Sequence, residues 1–110
     1  GTIIANAGTE LEKIHPIIIE GRGHTAITNV EAFSGDNGAL TNVQKSYDYM
    51  EIRGNERLTV SLVGCRMRNY ETALPITMKN PAAVVQAVAC IDKNEKLYNT
   101  ILGKQNGNDL

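Results

Sequence analysis

The chain contains no tryptophan, and its single phenylalanine and four tyrosines make up only 5% of 110 residues. No apolar run approaches the roughly 20 residues that a helix needs to span a bilayer. Gly1-Thr2-Ile3-Ile4 lacks the basic start and long apolar stretch of a secretory signal, so no signal peptide is expected. Neither sign of charge is in excess: 11 basic and 12 acidic side chains leave a net charge of −1, which argues against a simple polycation that coats nucleic acid. Cysteine is scarce. Cys65 and Cys90 form no Cys-x-x-Cys pair and have no histidine nearby in sequence, so no zinc site is expected. A nucleophile elbow, a phosphate loop and a Cys/His pair are also missing, so the chain reads as neither an enzyme nor a cofactor binder. His15 and His24 have no ligand spacing or neighbouring acid in sequence and read as structural.

What is present suits one globular domain spanning residues 1–110, with 42% hydrophobic and 21% charged residues. Charge is unevenly spread. Residues 1–44 carry two basic and five acidic side chains, whereas residues 45–80 carry six basic and four acidic ones. A mildly basic middle third is a weak pointer to a polyanion.

The first half reads as short strands broken by glycine. Candidates are Thr2–Asn6, Ile14–Glu20 and Thr25–Phe33, with a turn at Gly21-Arg22-Gly23 and a loop over Ser34–Gly38. Lys45–Arg53 and Arg57–Val63 flank Gly54-Asn55-Glu56 in a pattern that predicts a hairpin. Asn69–Thr77 predicts a further strand. Alternation gives these strands an apolar face with Met50, Ile52, Leu58, Val60, Leu62, Leu74 and Ile76. The opposite polar face carries Lys45, Tyr47, Tyr49, Arg53, Arg57, Thr59, Ser61, Asn69 and Glu71.

Asn80-Pro81 is a helix-start signal, and Ala83, Val84, Ala87, Val88 and Ile91 follow at helical spacing. Asp92 with Glu95 predicts a second helix through Leu97, Tyr98, Ile101 and Leu102, closed by Gly103. The expected fold is therefore α+β: a β-sheet region over 1–79, a helical region over 80–103 and a loose tail over 104–110. The helices would cover the apolar sheet face, and dimerisation would complete that cover. Cys90 lies among Val84, Val85, Val88 and Ile91 and reads as a buried free thiol. Cys65 follows Gly64 in an expected loop and reads as the more exposed one.

The order of elements and the run Asn69-x-Glu71-x-x-Leu74-Pro75-Ile76 resemble the coat proteins of single-stranded RNA bacteriophages. The likeness covers about residues 45–103. It implies an antiparallel sheet of about five to seven strands and two C-terminal helices, in an interlocked dimer with helices packed on one sheet face. It further implies an icosahedral shell assembled in a bacterial cytoplasm, a virion location, packaged single-stranded RNA and repression through a genomic hairpin. Asn69 and Glu71 match RNA-contacting positions of that family. The other polar-face residues join them by alternation, with tyrosines suited to stacking on bases and Arg57 and Arg53 suited to phosphates. The segment Gly64–Arg68 is shorter than the family's loop there. Cys65, Arg66 and Arg68 become candidates for contacts between subunits or with packaged RNA. The alternative is a small single-strand nucleic-acid-binding module of the oligonucleotide-binding type, without shell assembly.

Overall fold

Valine and isoleucine are stiff at the first side-chain torsion and suit a pleated surface better than a helix. In this chain that preference prevails over the helical spacing near the C-terminus. The computed structural model describes residues 1–5, 14–34 and 46–103. Among these residues there is no helix, and ten strands carry the fold.

The chain winds around itself in successive passes. The first pass is β2 (Ile17–Ile19), β3 (Gly23–Thr28) and β4 (Glu31–Ser34). The second is β5 (Met50–Ile52), β6 (Leu58–Val63) and β7 (Arg66–Met67), and the third is β8 (Ile76–Met78) with the long β9 (Ala83–Ile91). Each strand pairs in parallel with its counterpart one pass later. Ile17 pairs with Met50 and Met50 with Ile76; Gly23 pairs with Leu58 and Leu58 with Ala83. Glu31 pairs with Arg66 and Arg66 with Ile91. The stacked passes build one curled, mostly parallel sheet beside a smaller three-stranded sheet. β1 (Thr2–Ala5) joins β4 in parallel, while β10 (Leu97–Gly103) runs antiparallel along β9.

Alternation decides what lies inside the curl. β6 buries Leu58, Val60 and Leu62 and turns Thr59, Ser61 and Val63 outward. β9 buries Ala83, Val85 and Ala87, and leaves Gln86 and Val88 exposed. Their register stacks Leu58 on Ala83, Val60 on Val85 and Leu62 on Ala87, so each leucine of β6 meets a small alanine on the next pass. Met50, Ile52 and Ile76 complete the core from the smaller sheet. Each large aliphatic side chain buried this way is worth about 1.5–3 kcal/mol.

The corner after β3, β6 and within β9 recurs at one point of each pass. Asn29, Gly64 and Ala89 all have left-handed backbones, with φ of 56°, 64° and 56°. Asparagine and glycine tolerate this conformation, whereas alanine carries a cost of about 1–2 kcal/mol. The extra chain entropy of glycine offsets about 0.5–1 kcal/mol of any relief. Ala89→Gly should therefore stabilise the fold by roughly 0.5 kcal/mol, read as a higher urea midpoint with an unchanged slope. A lower midpoint would show that the corner is not under strain.

The α+β expectation is overturned. Residues 83–91 and 97–103 are strands, not helices, and the pairing is mostly parallel. A dimer clasped by helices accordingly has no helices to act through among the described residues. The helix-start chemistry exists but serves turns. Asn80 Oδ1 accepts from the Ala82 N–H at 2.8 Å, and its Nδ2 donates to the carbonyls of Arg53 and Glu56. Asp92 Oδ1 accepts from the N–H groups of Asn94 and Lys96, closing the turn between β9 and β10. Strands β5 and β6 do not form the expected hairpin, since each pairs with the passes before and after it. Asn69–Thr77 is mostly a bent segment: Asn69 has φ 57°, and only Ile76 and Thr77 enter β8. Leu74, expected inside, is 58% exposed. The expected tail 104–110 lies outside the described residues.

Candidate functional site

The parallel register between β3 and β6 places polar side chains from residues distant in sequence on one outward face. Gly23 opens β3 with φ 120°, which lets the chain swing Arg22 out beside the start of β6. Arg22, Gly23, Arg57, Leu58, Thr59, Ala82 and Val84 line a shallow, open cleft of about 520 Å³. The lining residue Thr59 is held by His24, whose Nδ1 lies 2.6 Å from the Thr59 hydroxyl. Arg22 lies 3.7 Å from Glu56 with its side chain 77% exposed, a weak pair that solvent screens. Arg57 is exposed and has no ion-pair partner among the described residues. Ser61 lies further along the same outward face of β6 and is half-buried. The cleft thus joins two cations to a hydroxyl, with an imidazole alongside. No carboxylate lines it among the described residues.

Of the residues expected on a binding face, the structure brings only Arg57, Thr59 and Ser61 together on this one. Tyr49 belongs to the core instead: it is fully buried, and its hydroxyl donates to the Val30 carbonyl at 3.0 Å. Burial pushes that hydroxyl far above the usual phenol range. Tyr47 is half-buried, edge-on to His15 with ring centroids 5.5 Å apart. Arg53 is turned to Glu51, which is itself buried. The Asn69 carbonyl accepts from the Ser46 N–H at 3.1 Å, and Glu71 is exposed with its N–H bonded to the Ser46 carbonyl. Lys45 lies outside the described residues.

The residues expected in an inter-subunit loop are tied down within the chain. Arg66 pairs with Glu95 at 2.6 Å and Arg68 with Glu31 at 2.8 Å, with the Arg68 guanidinium 5.6 Å from the centroid of the Phe33 ring. Cys65, expected to be exposed, is fully buried because the left-handed Gly64 turns it inward.

A second cluster lies under the smaller sheet. His15 Nδ1 is 2.9 and 3.0 Å from the two oxygens of Asp48, and Nε2 is 3.7 Å from Glu51 Oε1. His15, Asp48 and Glu51 are of metal-ligating types, and their ligand atoms lie within 4.8 Å of one another. Their arrangement favours a different role. Each ring nitrogen faces its own carboxylate, and Arg53 takes the other oxygen of Glu51, so the polar groups of the cluster are met from within the chain. Sequence reading found no acid paired with His15, because Asp48 lies 33 positions away and only the fold brings it close.

Arg22 and His24 were also missed as site residues. Both were legible as a turn residue and a strand start, but their place beside Arg57 and Thr59 follows from the β3–β6 register, which no local pattern encodes. Compared with known proteins, the chain matches no family model, no curated protein and no solved structure, so its function rests on this geometry alone.

Proposed function

We propose that the chain is a binding module for an extended acidic glycopolymer, held on the outward face of β3, β6 and β9. The observation that carries this reading is the joining of Arg22 and Arg57 with Thr59 and His24 around an open cleft. The two guanidinium groups suit carboxylate, sulfate or phosphate groups along such a polymer, and the hydroxyl and imidazole suit its sugar hydroxyls. An open cleft also fits a chain that passes through better than an enclosed small molecule.

Nucleic acid fits less well. Single-stranded RNA is held largely by stacking on aromatic side chains, and among the described residues no tyrosine or phenylalanine lines this cleft. The coat-protein reading drew its dimer from helices, which are absent among the described residues, and of the nine residues of its RNA face Tyr49 is fully buried. Glycoside cleavage ordinarily needs two carboxyl groups flanking the bond, and the cleft lining offers none among the described residues. Binding without turnover is the reading that follows.

The test is titration of the labelled chain with heparin, polygalacturonate, neutral dextran and single-stranded polyuridylate. Salt-dependent binding to the acidic glycans, with none to dextran, supports the proposal. The double variant Arg22→Ala/Arg57→Ala should weaken that binding roughly tenfold, about 1.4 kcal/mol for two exposed charge contacts. Binding to polyuridylate that is tighter than to both acidic glycans would return the chain to the nucleic-acid class.

A further inference from the structure

We infer that Cys65 and Cys90 are a dithiol that a hydroperoxide closes to an intrachain disulfide, stapling the second pass of the chain to the third. The two residues occupy one position in consecutive passes. The Ile91 N–H donates to the Cys65 carbonyl at 2.9 Å, and Arg66 pairs with Ile91, so the cysteines sit side by side across the sheet. Their sulfurs repeat one environment shifted by a pass. Cys65 Sγ lies 3.6 Å from the Ile27 carbonyl and Cys90 Sγ lies 3.7 Å from the Leu62 carbonyl, while Ile27 and Leu62 are themselves register partners. Neighbouring strands are about 4.8 Å apart, inside the Cα separations of 4.4–6.8 Å that a disulfide spans. Both thiols are fully buried and belong to the same core cluster.

The pair is chemically asymmetric. The hydrogen bond from Cys90 favours the Cys65 thiolate, holding that thiol below its usual range, while the same pairing and burial push Cys90 up. Cys65 is accordingly the attacking sulfur. Its thiolate displaces hydroxide from hydrogen peroxide to give a sulfenic acid, and the Cys90 thiol condenses with it, releasing water. The two thiols lose two electrons and two protons, and the peroxide is reduced to two waters. Both sulfurs are fully buried, so an oxidant as small as water is favoured over a bulky disulfide.

The decisive experiment treats the folded, reduced chain with hydrogen peroxide and maps its peptides by mass spectrometry without reduction. The expected product is a monomer lighter by about 2 Da, with Cys65 linked to Cys90, no thiol left to count after denaturation, and full reversal by dithiothreitol. Its thermal midpoint should rise by on the order of 5 °C. Cys90→Ala should give a stable sulfenic adduct on Cys65 and no gain in midpoint. Two thiols still present after treatment, independent oxygen adducts on each cysteine, or disulfides only between chains would overturn the inference. The mapping uses the unaltered chain and so decides the matter even if the variant folds poorly.

Discussion

Replacing Asp48 with alanine is expected to cost about 3 kcal/mol of stability, the upper end of the range for leaving a buried hydrogen-bonding group without its partner. Asp48 has no exposed surface, and both its oxygens meet His15 Nδ1 within 3.0 Å. Without it, the imidazole sits in a dry site beside a buried Glu51 whose other oxygen is already taken by Arg53. The pair also fastens chain that the sheet hydrogen bonds hold sparsely. His15 precedes β2 and Asp48 precedes β5, each only three residues long, and the Tyr47 N–H donates to the Ile14 carbonyl at 2.7 Å alongside. A loss of that size is a large part of the 5–15 kcal/mol typical of a folded domain. Urea unfolding of Asp48→Ala, His15→Ala and the double variant measures it. The double variant should lose clearly less than the two single losses combined, because the second change removes a group already stranded. Additive losses, or less than 1 kcal/mol for Asp48→Ala, would mean that the carboxylate and imidazole do not act as a pair.

Which faces point inward was largely legible, but which strands are neighbours was not. Alternation at Leu58, Val60 and Leu62 correctly gave the buried side, since side-chain period is local to each strand, whereas β5 buries Glu51 along with Met50 and Ile52. Pairing is a different matter. Gly54-Asn55-Glu56 reads as a hairpin turn, yet it leads from the smaller sheet to the larger one, and the true partners come from other passes. The passes differ in length, Ile17 to Met50 being longer than Met50 to Ile76, so no internal repeat stands out in the sequence. The candidate site suffered from the same gap. Arg57 and Thr59 were placed on a polar face by alternation, but Arg22 and His24 join them only through the β3–β6 register. Tyr49 was misplaced for a simpler reason: the chain before Met50 is not a regular strand, so counting by twos fails there.

The C-terminal half offers the sharpest contrast, because Ala83–Ile91 satisfies two periods at once. At helical spacing, Ala83, Val84, Ala87, Val88 and Ile91 share a face and Val85 falls outside it. At strand spacing, Ala83, Val85 and Ala87 point inward and Val88 points away. The structure takes the second: Val85 has no exposed surface, whereas Val88 is 42% exposed. Lysine at each position therefore separates the two. Val85→Lys would put an unpaired ammonium between Val60 and the rest of the core, at a cost of several kcal/mol that the fold cannot spare. Val88→Lys would carry its charge into water, with an effect of about 1 kcal/mol or less. Thermal unfolding followed by circular dichroism reads both, and the unaltered chain should show a sheet spectrum without helical minima. A tolerated Val85→Lys beside a collapsed Val88→Lys would reverse the assignment and restore a helix here. The winding of the passes argues for the outcome given first. Val85 is flanked by Val60 on β6 and Leu102 on β10, so its side chain has partners on both sides, and the exposed face of Val88 is the one that carries Thr59 and Ser61.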